Sequence, residues 1–268
     1  MSTRIQNILE KAARDGGMQR TFIEPATAVS PVFENARDLA ITPAAPPEIM
    51  EPATGGRVVS EARLSPRLRA AASNPVTAEQ YRTLRTRIVH ADHGFPVHVV
   101  LVTSPGRGDG RSFTSSNLGL TMAQEYQRRI CVVDADLSHP EQHQLFGLPD
   151  GPGLAEVLGG RATLDDALVT LPEHHLTVLP AGSGTAHPAE LLGTTTMRRT
   201  VETLRSRFDC VVVDGPGVAR LAEVGVLTPL VDRVVMVVRD GVTPKPAIHD
   251  AIAALGGKLL GIVLNDAT

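Results

Sequence analysis

The sequence predicts an α/β fold, a mostly parallel sheet with helices on both faces, and three features carry that expectation. Short, wholly apolar runs recur at Val99-Val100-Leu101-Val102, Ile130-Cys131-Val132-Val133 and Cys210-Val211-Val212-Val213. Strands covered on both faces read this way, because neither side of the pleat meets water. Helical periods separate the runs and supply the crossovers that parallel strands need. The third feature is where the runs stop: the first at a glycine-dense turn, the others at the carboxylates Asp134 and Asp214.

Composition narrows the functions open to such a fold. A hydrophobic content of 42% over 268 residues is enough for a core, and a net charge of −3 gives no footing to a general nucleic-acid binder. Aromatics make up 3% and tryptophan is missing, which argues against base stacking on aromatic platforms. Cys131 and Cys210 sit inside apolar runs and read as reduced core residues, consistent with the cytoplasm. No apolar run is long enough to cross a bilayer, and the N-terminus lacks the apolar block of a signal peptide. No direct membrane insertion is expected, and any membrane role would come through a partner.

Taken in order, residues 3–15 carry Ile5, Ile8, Leu9 and Ala12 on one helical face and end at Gly16-Gly17, as a frayed tail segment or a docking helix would. From about 20 to 74 the chain is rich in Pro and Ala and reads as linker, so that 1–74 forms a tail and 75–268 the folded unit. Thr77-Ala78-Glu79-Gln80 has the form of a capping box opening a helix. On it Tyr81, Leu84 and Ile88 share a face, while Glu79, Arg82 and Arg85 line another, as a solvated ion-paired row or a subunit contact. A helix is expected over 112–126, short helices over 154–158 and 164–169, a strand over 176–179 and a helix over 189–207. Buried strands at 234–238 and 259–264 complete the alternation.

The stretch 101–112, LVTSPGRGDGRS, has the layout of a phosphate-binding loop, although an ordinary strand-to-helix turn would share its outline. Gly106, Gly108 and Gly110 let the backbone close around an anion, and the following helix offers its positive N-terminus. Against GxxxxGK[ST], Pro105 holds the first glycine position and Arg111 the lysine position, with Ser112 as the Mg²⁺ hydroxyl. A nucleoside triphosphate needs this cradle, a hydroxyl and a carboxylate for Mg²⁺, and a further carboxylate toward the nucleophile. Asp134-x-Asp136 and Asp214-Gly215-Pro216 supply the carboxylates from strand ends, where α/β sheets bind ligands. His139 and His143 are four apart, but Pro140 interrupts any helical zinc pair.

These pieces carry a family resemblance. AEQYRTLRTRI at 78–88, TSPGRGDGRS at 103–112, CVVDADLSHPEQHQLFGLPDGPGLAEVLGG at 131–160, LPAGSGTAHPAELL at 179–192, FDCVVVDGPGV at 208–218 and PLVDRVVMVVRDGVT at 229–243 together resemble one family. It is the cytoplasmic P-loop catalytic domain of bacterial tyrosine kinases of capsule and exopolysaccharide synthesis, including forms encoded apart from their membrane partner. The resemblance spans about 74–265 and implies a P-loop NTPase fold of the partition-ATPase-like superfamily, with ATP and Mg²⁺ as cofactors. It implies that Asp134, Asp136, Asp214 and Arg111 are catalytic, with Asp134 the base toward a tyrosine hydroxyl. Nucleotide would lie on Gly106, Arg107, Gly108, Asp109, Gly110, Arg111, Ser112 and Phe113, with Asn265 near the adenine, and Mg²⁺ on Ser112, Asp136 and Asp214. It further implies a homo-oligomer through Glu79, Arg82 and Arg85 and a transmembrane chain-length partner that recruits the protein to the inner face of the membrane.

The departures from that pattern leave two readings open. Arg111 is a planar fork where the family has an ammonium, Ser138 stands where it has an arginine, and the only tyrosines are Tyr81 and Tyr126. A tyrosine kinase acting on another protein and a catalytically impaired nucleotide-binding regulator both accommodate these differences. A partition or septum-type ATPase ranks behind both, because such proteins carry a lysine early in the loop and this chain has Arg107.

Overall fold

A computed structural model describes residues 56–60, 62–91, 96–124 and 128–265. Its centre is an eight-stranded sheet. In chain order the strands are β1 (Arg57–Val58), β2 (Val99–Thr103), β3 (Ile130–Asp134), β4 (Val169–Leu171), β5 (Leu176–Leu179), β6 (Cys210–Asp214), β7 (Arg233–Arg239) and β8 (Leu259–Asn265). They lie in the order β1-β4-β5-β3-β6-β2-β7-β8. Every described pairing is parallel except β4 with β5.

Alternation of side chains along each strand feeds two cores. Val99 and Leu101 of β2 point into one, and Val100 and Val102 into the other. The first core is roofed by Leu154–Leu158, Thr195–Arg207, Leu221–Leu227 and Lys245–Leu255. The second is roofed by α1 (Pro66–Ser73), α2 (Pro75–Val89) and α3 (Arg111–Ala123). Because both faces are covered, the valine runs have no polar side, and each fully buried valine or leucine contributes about 1.5–3 kcal/mol.

Several local expectations change. α2 begins at Pro75, not at Thr77: Asn74 is its N-cap, its Oδ1 accepting from the backbone N–H of Val76 at 2.9 Å and Thr77 at 3.2 Å. Proline at the first helical position gives up an N–H that would have been orphaned anyway. The stretch read as linker carries β1 and α1, and Leu64 and Leu68 are buried in the second core, so the packed body extends N-terminal to Asn74. The expected helix over 164–169 stops at Ala167, and Val169–Leu171 turns back as the antiparallel strand. The single helix over 189–207 is two, Pro188–Leu192 and Thr195–Arg207, with Thr194 capping the second through the Met197 N–H. The short helix expected over 3–15 and Tyr126 lie outside the described residues.

Asp232 fastens β2 to β7 below the rim. Its Oδ2 accepts from the backbone N–H of His98 at 2.9 Å and Val99 at 2.8 Å, and Arg205 pairs with Oδ1 at 2.9 Å. Burial alone would raise this carboxyl, but the Arg205 bond and the two amides outweigh it and hold it below the ordinary range. A lowered folded value means that the contribution is complete above the unfolded pKa of about 3.9 and is lost as pH falls through the folded value. Asp232→Ala should therefore cost about 2–3 kcal/mol at neutral pH, with the gap to wild type narrowing below about pH 4. Denaturant unfolding at both pH values checks this, and a gap that does not move with pH contradicts it.

Candidate functional site

β2, β6 and β3 are adjacent and parallel, so their C-terminal ends share one rim. The register pairs Val102 with Asp214 and Asp134 with Asp214, which sets the glycine loop and both strand-end carboxylates at one level. Residues far apart in sequence meet for that reason.

The loop 104–110 is shaped by two left-handed glycines, Gly108 at φ 84° and Gly110 at φ 96°. Gly110 is also the N-cap of α3, and a Cβ there would lie 2.2 Å from Asn265 Nδ2. The loop is braced by its own side chains and by β7–β8. Asp109 Oδ2 accepts from the Gly106 N–H at 3.1 Å and Oδ1 from the Thr243 hydroxyl at 2.7 Å. Asn265 Nδ2 donates to the Asp109 carbonyl at 3.0 Å. Asn265 thus supports the phosphate loop directly.

Arg111 lies across this loop. Its Nη1 donates to the Gly106 carbonyl at 2.6 Å and the Ser104 hydroxyl at 2.9 Å, and its Nη2 donates to Asp136 Oδ2 at 2.8 Å. The Arg111 and Asp136 side chains are only 9% and 3% exposed, so the pair is shielded from water and salt. The fork bonds loop and carboxylate at once, a span that a single ammonium would not cover with the same geometry.

Asp214 Oδ2 accepts the Gln142 side-chain amide at 2.8 Å. Its Oδ1 is buried with no partner. Burial pushes the Asp214 carboxyl up to about 6 against the pull of Gln142, Arg111 and Ser112. Asp134 is fully buried and accepts three backbone N–H groups, from Asp136 at 3.2 Å, Glu141 at 3.1 Å and Gln142 at 3.0 Å. Burial, then the charge of Asp214, pushes it well above the usual carboxylate range. Both Asp134 oxygens serve the 136–142 turn, so the carboxylate shapes the turn that carries Asp136.

The residue that the sequence did not disclose is Gln142. It is fully buried, and its amide donates to the Ser112 carbonyl at 3.1 Å and the Ser115 hydroxyl at 3.0 Å as well as to Asp214. Its Oε1 accepts from the Ser116 hydroxyl at 2.7 Å. A faint signal exists: Thr114, Ser115, Ser116 and Asn117 form a polar run that the structure buries, and buried polar groups require partners.

The other candidates are less central. Arg107 is exposed, and Phe113 is half-buried beneath the guanidinium of Arg67, 5.8 Å from its ring centre. On α2, Glu79 and Arg82 form an exposed pair at 2.9 Å, whereas Arg85 turns toward the Thr121 carbonyl of α3. Tyr81 is held against Thr114 and Asn117, where burial raises its hydroxyl pKa.

No family profile matches the chain. Tyrosine-protein kinase YwqD of Bacillus subtilis is 33% identical over 193 residues, covering 71% of this chain and 81% of that protein. This chain belongs to the bacterial tyrosine-kinase family. The kinase domain of the Escherichia coli tyrosine kinase ETK superposes with a TM-score of 0.69 at 27% identity, covering 73% of this chain and 78% of that one. The succinoglycan biosynthesis transport protein ExoP of Rhizobium meliloti is 29% identical over 195 residues, which span 70% of this chain and 25% of ExoP. At the level of fold alone, the septum site-determining protein MinD of Pyrococcus horikoshii matches with a TM-score of 0.53 at 20% identity over 63% of this chain and 70% of that one. The expected P-loop NTPase fold, which MinD shares, is thereby borne out for this member of the bacterial tyrosine-kinase family.

Two glycine substitutions separate strain from crowding in its loop. Gly108→Ala meets open space and should cost about 1–2 kcal/mol from the left-handed backbone alone. Gly110→Ala adds the collision with Asn265 and should cost more, part of it recovered when Asn265→Ala is combined with it. Denaturant unfolding of the three variants reads this out, and equal costs at 108 and 110 would contradict the crowding.

Proposed function

We propose that this chain binds ATP at the strand-end rim and transfers its terminal phosphoryl group to a tyrosine of another protein in polysaccharide assembly. The observation that carries the proposal is Asp214 Oδ1, buried and unpartnered at a strand end in register with the strand that leads into the glycine loop, in a chain of the tyrosine-kinase family. Hydroxyl and carboxylate oxygens suit a small hard cation, so Ser112 and Asp214 would hold Mg²⁺, and Asp136 would join them on release from Arg111. When bound, the cation offsets charge on the phosphates. Among the described residues no group of three or more His, Cys, Asp or Glu is arranged to bind a metal alone, which fits a cation that arrives with nucleotide.

The chain's own groups do the rest. Backbone N–H groups of the glycine loop and the N-terminus of α3 receive the phosphates, and Arg111 adds a fixed positive charge. The bond between the acceptor oxygen and the terminal phosphorus forms as the bond from that phosphorus to the bridging oxygen breaks. ADP leaves and the phenolic proton passes to solvent. The packing of Tyr81 against α3 supports an acceptor tyrosine on another protein. ExoP is named for polysaccharide biosynthesis and transport, and this chain matches a quarter of it, which supports a membrane-spanning chain-length partner. Among the described residues no helix is long and apolar enough to cross a membrane. The exposed Glu79–Arg82 pair on α2 supports self-association through that helix, with Arg85 behind it.

The Arg111–Asp136 pair favours a second reading, a regulator whose turnover is held down because its loop is tied by its own arginine. Incubation with γ-labelled ATP, Mg²⁺ and a membrane fraction containing the partner distinguishes the two. Tyrosine labelling that falls at least a hundredfold in Asp214→Ala is expected from the kinase. Label that is absent from wild type, or unchanged by that substitution, overturns it. The regulator reading predicts that Arg111→Lys turns ATP over faster than wild type, and equal rates would reject it.

A further inference from the structure

The loop leaving β6 carries a second cation to the rim. Gly217 packs on the phosphate loop so closely that a Cβ would lie 3.1 Å from both Arg111 Nη1 and the Gly106 carbonyl oxygen. The Val218 N–H donates to the Ser104 carbonyl at 2.7 Å, and the Ala219 N–H to the Pro105 carbonyl at 3.2 Å. The chain then turns, with the Arg220 N–H donating to the Gly217 carbonyl at 2.9 Å. Arg220 is therefore positioned by the backbone of the phosphate loop itself.

Its side chain crosses to the turn after β3. Arg220 Nη1 donates to the Ser138 hydroxyl at 2.8 Å, and Nη2 lies 3.5 Å from His139 Nδ1. The His139 backbone N–H in turn donates to Asp136 Oδ1 at 3.1 Å. Nη1 also pairs with Glu223 Oε1 at 2.9 Å, three residues along Leu221–Leu227. A helix-start ion pair of that kind is ordinary and worth little. The bridge to Ser138, 82 residues away, is not explained by it.

Charge and freedom of movement decide what the bridge is for. Asp134, Asp136 and Asp214 gather at the rim, and the buried cation among them, Arg111, is committed to Asp136 and to the loop's own carbonyl. Arg220 is 41% exposed and Glu223 only 8%, and Glu223 Oε2 is buried without a partner, so the arginine is held from one side and open on the other. A triphosphate entering the loop brings more negative charge than Arg111 can meet, and it would end near the 136–139 turn that Arg220 already touches.

We propose that Arg220 is a specificity-determining residue that leaves Ser138 to contact the terminal phosphate of a bound nucleoside triphosphate, distinguishing it from the diphosphate. The proposal rests on the nucleotide reading of the site. Fluorescent N-methylanthraniloyl ATP and ADP, titrated with Mg²⁺ into the intact chain, test it by binding alone. Arg220→Gln retains hydrogen bonding to Glu223 but not charge; it should weaken the triphosphate about tenfold or more and the diphosphate by less than about twofold. Adding Ser138→Arg to it places a guanidinium at the other end of the same contact and should restore triphosphate preference. Arg220→Lys, which keeps charge without the fork, should show a smaller loss confined to the triphosphate and serves as the second variant if the Gln form is unstable. Equal loss of both nucleotides, or no loss of either, overturns the role of Arg220 while wild-type binding leaves the nucleotide site standing. Wild type binding neither nucleotide overturns both.

Discussion

Two carboxylates, Asp134 and Asp214, end neighbouring parallel strands in register, and neither reaches water. Charge buried at such separation is unfavourable unless donors or cations meet it, and the local structure follows from that demand. The 136–142 turn wraps its N–H groups onto Asp134. Gln142 reaches from that turn to Asp214 and the first turn of α3. Arg111 closes the arrangement by pairing with Asp136 and bonding back to the loop. The phosphate loop, the turn after β3 and the end of β6 are thus one hydrogen-bonded unit, and removal of any member leaves another buried polar group without a partner.

That unit gives physical content to the difference between an arginine and a lysine at position 111. A guanidinium held by a carboxylate, a hydroxyl and a carbonyl is preorganised, and it covers the loop it is meant to serve. In the proposed site, entry of phosphate would exchange one anion on Arg111, the Asp136 carboxylate, for another, and would couple nucleotide binding to the freedom of Asp136. Both functional readings share this structure and differ only in how readily the exchange occurs.

Much of this was legible in the chain. Valine runs stopping at Asp134, Asp214 and the glycine turn fixed both the parallel sheet and the rim, because apolar continuity and a terminal carboxylate are local patterns. What escaped was nonlocal or short. β4 is a three-residue strand with Thr170 at its centre, too brief to show a period, and β1 lies within proline-rich sequence and is recognisable only from its pairing with β4. Gln142 and Arg220 carry no pattern of their own; their partners are 72 and 82 residues distant, and only the fold brings them to the rim. Asn74 was readable: proline directly after a capping residue marks a helix start more firmly than the Thr77 box that competed with it.

Amide hydrogen exchange with and without MgATP tests most directly whether the rim from 104 to 142 responds as one unit to a magnesium-bound triphosphate. Added protection is expected at amides 106–112, the proposed phosphate cradle, together with a changed exchange pattern at amides 136, 141 and 142, where Asp134 now holds the turn. Unchanged exchange across both segments at saturating nucleotide, or protection confined to surfaces away from the strand ends, would contradict it.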